Sequence, residues 1–204
     1  MDTLIDRPRS IGLASGALWA TTASAAFAIW SLILIGTPAA KGALIGALVI
    51  AAALIATGVV VMRAALRLPS GVSPRTAEEG RVIRRRFAWV FGVEIAALAV
   101  VNPILAFTGH GKLLPSLDVM IIGLHFLPLA WIFRVPRYYV MGLLFCAIPT
   151  VMLLSMSQHA RLGHAVAWFV IPGLGCGLVG AATAAAGLRE AWQSVIALRP
   201  APQH

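Results

Sequence analysis

The chain is 204 residues long, 60% of them hydrophobic and only 11% charged, whereas a soluble domain carries about 25% charge. A single soluble core of this length cannot hide so much apolar side chain, and the mean hydropathy of +0.90 excludes an ordinary soluble fold. The net charge of +9 does not mark a nucleic-acid binder, because the basic residues cluster between apolar runs and not on one face.

Six apolar runs are long enough to cross a bilayer, which takes about 20 residues per helix. They are 11–35, 42–66, 87–108, 115–134, 138–156 and 165–187. The runs are continuous and do not alternate, so they predict helices and not a barrel. The expected fold class is an all-α integral membrane bundle of six transmembrane helices in one domain, residues 1–204. The first run follows Arg7 and Arg9 and contains Ala23-Ser24-Ala25, which resembles a signal-peptide cleavage site. It continues through Trp30 to Ile35, past a usual signal core, so it reads as a retained helix.

The only sizeable loop is 67–86. Pro69, Gly71 and Pro74 end helix 2. Ser73-Pro74 offers a helix start with serine as N-cap and proline in the first turn. Thr76 with Glu79 offers a second, capping-box start. Helix 3 is therefore expected to begin before it enters the membrane. Arg81, Arg84 and Arg85 share a helical face there, and with Arg86 they are expected to contact anionic lipid headgroups. A bound phosphate is the sharper alternative, but no glycine-rich phosphate loop accompanies them.

Gly12 with Gly16, Gly42 with Gly46, and Gly173 with Gly177 each form Gly-x-x-x-Gly. That spacing lets helix backbones approach closely, for internal packing or for a homo-oligomer. Pro103, Pro128, Pro149 and Pro172 interrupt the ladders of helices 3 to 6. Cys146 and Cys176 both lie within apolar runs and read as buried thiols, not a disulfide.

Lysine and arginine set the expected orientation. Thirteen arginines, from Arg7 and Arg9 through the 63–86 cluster to Arg134, Arg137, Arg189 and Arg199, fall on one side of a six-helix chain. The other side has Lys41, Lys112 and Arg161. This asymmetry predicts cytoplasmic N- and C-termini in a bacterial inner membrane. Trp89, Trp131, Tyr138 and Tyr139 are expected at the cytoplasmic interface and Trp168 at the outer one.

The ionisable residues inside the runs carry the functional signal, because each costs several kcal/mol in hydrocarbon unless paired or hydrated. Glu94 lies about 12 Å in from Arg86 at 1.5 Å per residue, and His125 about 13 Å in from Arg134 on the antiparallel helix 4. Neighbouring helices would bring these two together. Asn102, eight residues beyond Glu94, and Asp118, seven before His125, fall on the same faces and suggest a second rung. The four residues form either interhelical bonds that fix packing or a proton, ion or ligand pathway.

No His-Glu-x-x-His, no Gly-x-Ser-x-Gly and no close pair of membrane acids appears, so no catalytic residue is assigned and the chain is not expected to be an enzyme. Glu94 and His125 are too few for a closed metal site, and one buried histidine is a weak argument for haem. His110, His159 and His164 fall in the two outer loops and read as unliganded. No cofactor or metal is expected.

Several strings resemble a family of small bacterial multi-pass membrane proteins. They are Arg84-Arg85-x-Phe87 with Phe91 and Glu94, Gly123-Leu124-His125-Phe126-Leu127-Pro128-Leu129-Ala130, Phe133-Arg134-Val135-Pro136, and Tyr138-Tyr139-Val140-x-Gly142. The resemblance implies an inner-membrane location and points to Glu94 and His125, and it supplies no substrate. Three readings of function follow: a small proton-linked transporter or permeation protein, a binding or accessory protein in which the pair is structural, and a lipid-modifying membrane enzyme.

Overall fold

Six α-helices form among the described residues, which are 7–67, 74–157 and 159–197 of a computed structural model. They are α1 (Arg7–Ile35), α2 (Pro38–Leu66), α3 (Pro74–Phe107), α4 (Leu114–Phe133), α5 (Arg137–Ser155) and α6 (Ala167–Ala197). All six are long and apolar enough to cross a membrane, so the chain is an all-α multi-pass membrane bundle. α3 begins at Pro74 and so extends well ahead of its apolar run, as the proline-led start implies. α6 runs ten residues past Gly187 (to Ala197), further than its apolar run indicates. The Ser73 cap and the Pro69–Gly71 break lie outside the described residues, as do the side chains of Thr76 and Glu79.

Local chemistry sets the turns. Gly36 adopts φ +67° after α1, and Thr37 caps α2 by accepting the Ala40 N–H at 3.2 Å, with Pro38 at the first position. α4 ends on Arg134 in the left-handed region, φ 54°. The Val135 N–H reaches back to the Ala130 carbonyl there at 3.0 Å, and Pro136 prevents continuation.

α1 packs against α6 and α2, α4 packs against α5, and α6 joins these groups through α5 and α4. α3 lies at the edge, packed on α4 and the short turn Gly111–Leu113 before it. The α1–α6 seam is built from small residues. On α6 these are Gly173, Gly177, Gly180, Ala184, Gly187 and Ala191, at alternating spacings of four and three. A Cβ on Gly173 or Gly180 would collide with the hydroxyl of Ser31 or Ser24, and one on Gly177 would lie 2.7 Å from the Ala28 Cβ. The hydroxyls of Thr21, Ser24 and Ser31 donate to carbonyls one turn earlier, those of Ala17, Ala20 and Phe27, so they bring no unmet hydrogen bond into the contact.

A two-residue hairpin, β1 (Arg161–Leu162) with β2 (Ala165–Val166), tops the α5–α6 connection. It closes over the α1–α2 turn, where the His164 N–H donates to the Ile35 carbonyl at 3.1 Å. Gly163, at φ +63°, has no room for a Cβ, which would lie 2.6 Å from that same oxygen. Trp168, expected at a membrane interface, is instead 1% exposed. Its indole N–H donates to the Ser157 carbonyl at 3.0 Å and ties the loop down. Sequence position alone could not reveal the hairpin that covers it.

Candidate functional site

The face of α3 that meets α4 recurs at helical spacing through Val90, Glu94, Leu98, Asn102 and Leu105. Its other described faces are exposed. Glu94, at 8%, is the one described side chain of α3 that is fully buried. A helix that docks on a carboxylate is unusual, because aliphatic and small residues pack better against a neighbour in lipid.

His125 of α4 supplies the partner. Its Nδ1 lies 3.2 Å from Glu94 Oε1, with the histidine 13% exposed. The distance is that of a hydrogen bond but the alignment is not, and both His125 Nδ1 and Glu94 Oε2 are buried without a hydrogen-bond partner. A one-proton pair of this kind is net neutral in either form, Glu–COOH with neutral imidazole or carboxylate with imidazolium. The second rung forms as its spacing predicts. The Asn102 carboxamide lies close to the Asp118 carboxyl, while one oxygen of each is buried without a partner. The rungs are about 12 Å apart along α3 and about 10 Å apart along α4. Leu98 and Val101 on α3, and Ile121 and Ile122 on α4, occupy the spacing between them. The seam thus carries two polar stations separated by an apolar stretch.

The arginine-rich end of the seam is aromatic. Phe87 stacks on Phe91 with ring centroids 5.9 Å apart and meets Phe133 at 6.0 Å. The Arg86 guanidinium lies 5.1 Å over the Trp131 ring, so this arginine is partly engaged within the protein. Arg81 pairs with Glu78 at 3.6 Å in full exposure, an arrangement that adds little stability. Arg84 and Arg85 are exposed on the same stretch of α3.

Other candidate residues stay apart from the seam. Among the described residues no group of three His, Cys, Asp or Glu is close enough to hold a metal. His110 Nδ1 lies 3.2 Å from the Thr108 hydroxyl, and the His164 ring packs over Gly36. Cys146 points its thiol at the Met120 carbonyl, 3.7 Å away, and Cys176 is buried. On the far side of α4 the backbones of α4 and α5 cross at Gly123 and Gly142. A Cβ on either would come within 3 Å of the other's carbonyl oxygen. This crossing fixes α4 firmly and so fixes the base on which His125 stands.

One polar cluster has no counterpart in the sequence reading. Arg137 at the start of α5 pairs with Glu190 of α6. Its guanidinium lies 5.9 Å over the Tyr138 ring, and the Tyr138 hydroxyl faces Gly16 of α1. Glu190 lies beyond Gly187, where the apolar run ends. Its chemistry was visible as one of only seven acidic residues in the chain.

These features define a multi-pass membrane protein with an intramembrane polar seam between its third and fourth helices. Residues 89–180 match the model of a family of unknown function, DUF7010. The match takes in Glu94, Asn102, Asp118, His125 and the two crossing glycines, and leaves out α1 and α2. No curated protein and no solved structure matches the chain.

Proposed function

We propose that this protein is a small proton-linked transporter of the bacterial inner membrane, with the α3–α4 seam as its translocation site. The observation that carries the reading is Glu94, the single fully buried described side chain of α3, set 3.2 Å from His125 with its second oxygen unpartnered. Glu94 and His125 hold the transported proton, and Asn102 with Asp118 form the second station. The chain acts without catalytic residues or a cofactor. Both termini are cytoplasmic, so Arg81, Arg84, Arg85 and Arg86 sit at the inner headgroups and hold α3 against anionic lipid. Reporter fusions at Ala40 and Gly111 should then read outside, and fusions at Ser73 and the C-terminus inside; an outside signal at Ser73 would reverse the assignment.

The transport reading is tested in vesicles that contain a pH-sensitive dye. Protons should move on imposition of a pH gradient or addition of solute, and folded His125→Gln and Glu94→Gln proteins should not support that movement. Flux unchanged in both variants would remove the pair from the mechanism. A second reading, a binding or accessory protein in which the pair only locks the fold, draws on the fact that α3 docks on α4 around this same pair. Under that reading no flux appears and the substitutions change stability alone.

A further inference from the structure

Removing the one proton of the Glu94–His125 pair leaves a net negative charge in apolar surroundings, which must be neutralised or hydrated. A small inorganic cation is poorly served there, since it would need several oxygen ligands to replace its hydration shell. Among the described residues the pair has no third carboxylate, histidine or cysteine beside it. A cation whose charge is spread over an apolar body has little hydration to lose. It also partitions into the bilayer, and it is attracted to aromatic faces.

The seam offers those faces next to the carboxylate. Phe91 and Phe87 lie one and two turns from Glu94 on nearly the same side of α3, and Phe133 meets Phe87 from the end of α4. All three remain partly exposed, Phe91 at 46%. Access from the bilayer is lateral, because among the described residues no helix other than α4 makes more than a marginal contact with α3. Opening the seam therefore separates α3 only from α4 and the turn before it.

We propose that the seam binds a lipophilic organic cation in exchange for the proton of the Glu94–His125 pair. This rests on the transport reading above and names its substrate class. The exchange balances: the cation pairs with the carboxylate, the proton leaves to water, and the site stays neutral. The other charged or titratable groups that flank the pair on α3, α4 and the turn between them are Asp118 one rung away, Arg86 over Trp131, Arg134 at the end of α4, and His110 with Lys112 at the opposite end. Behind α4, α5 and α6 bring Cys146, Cys176 and the Arg137–Glu190 pair with Tyr138. Among the described residues none of these is within ion-pair distance of Glu94, which has His125 as its partner.

The probe is tetraphenylphosphonium, added to the purified full chain in detergent, with binding followed by equilibrium dialysis and proton release by pH in weak buffer. Binding should saturate at one cation per chain with one proton released. Its affinity should fall about tenfold per pH unit on acidification wherever the pair holds its proton. Glu94→Gln should abolish both signals and Glu94→Asp should keep them. Phe91→Ala, at an exposed position that does not threaten the fold, should weaken binding several-fold and keep one proton released per cation bound. Binding that survives in Glu94→Gln, or that releases no proton, would overturn the proposal. No binding by a wild-type protein that shows His125-dependent proton flux would overturn the cation class and leave the transport reading intact. Binding with proton release in a protein that moves nothing across vesicles would uphold the site and end the transport reading.

Discussion

The α1–α6 and α3–α4 seams solve the same problem in opposite ways. Both join antiparallel helices in a solvent that gives no hydrophobic drive to association. The α1–α6 seam uses glycine and alanine to bring backbones together, and its three hydroxyls are already bonded within α1. The α3–α4 seam is centred on ionisable groups. Four of the six buried polar side-chain atoms without a hydrogen-bond partner among the described residues lie there, on Glu94, Asn102, Asp118 and His125. Each such atom costs free energy. One seam is therefore packed to stay closed, whereas the other gives up stability around four polar side chains, the trade expected if the proposed transport site lies there.

The sharpest way to break this contrast is in the closed seam. Gly177→Leu would drive a side chain into the fixed Ala28 Cβ and the Ser24 carbonyl. A loss of about 3 kcal/mol or more is expected, read as a collapse of thermal stability in detergent. A Gly177→Leu protein as stable as wild type would show that the helices are not this close.

The next effect belongs to the polar seam. Glu94→Ala and His125→Ala should each cost about 1–2 kcal/mol, since each leaves a buried group unpaired. The double variant should cost less than the sum, with a coupling of about 1 kcal/mol. Strict additivity would mean the two groups do not interact. At the second rung, Asp118→Ala should cost about 0.5–1 kcal/mol by the loss of one contact with Asn102, measured by the same melting assay. A loss larger than that of Glu94→Ala would invert the order of the two stations.

The smallest effect is expected on α2. Nothing lies within 4 Å of a Cβ on Gly42 or Gly46, so Gly46→Leu should change stability by less than about 0.5 kcal/mol. A large loss accompanied by a change in oligomeric state would assign that face to a contact between copies of the chain.

The polar seam was readable from the sequence, because depth in a membrane can be counted. Glu94 and His125 fall at equal distances from arginines at the same end, and each has its companion two turns away. The Gly-x-x-x-Gly pattern was readable too, but not its meaning. Gly173 and Gly177 pack on α1, Gly16 meets only the Tyr138 hydroxyl, and Gly12, Gly42 and Gly46 face open space. A local motif states that a helix has a smooth face and does not say what lies against it. The longer signal was the seven-residue recurrence of small residues in both α1 and α6, which spans two distant segments. The Arg137–Glu190 pair and the burial of Trp168 depend on where α6 ends and how its loop folds, and hydropathy sets neither.

The back-bonded hydroxyls of Thr21, Ser24 and Ser31 also bear on biosynthesis. α1 is complete by Ile35, but its main partner begins only at Ala167. At about 5–20 residues per second, the ribosome takes on the order of ten seconds to deliver α6. For that interval the surface destined for the seam must sit in lipid alone. Because each hydroxyl is satisfied within its own helix, α1 can wait as an independently stable span and offers newly inserted helices no unmet donor to capture. The last helix then closes its seam with α1 by shape alone.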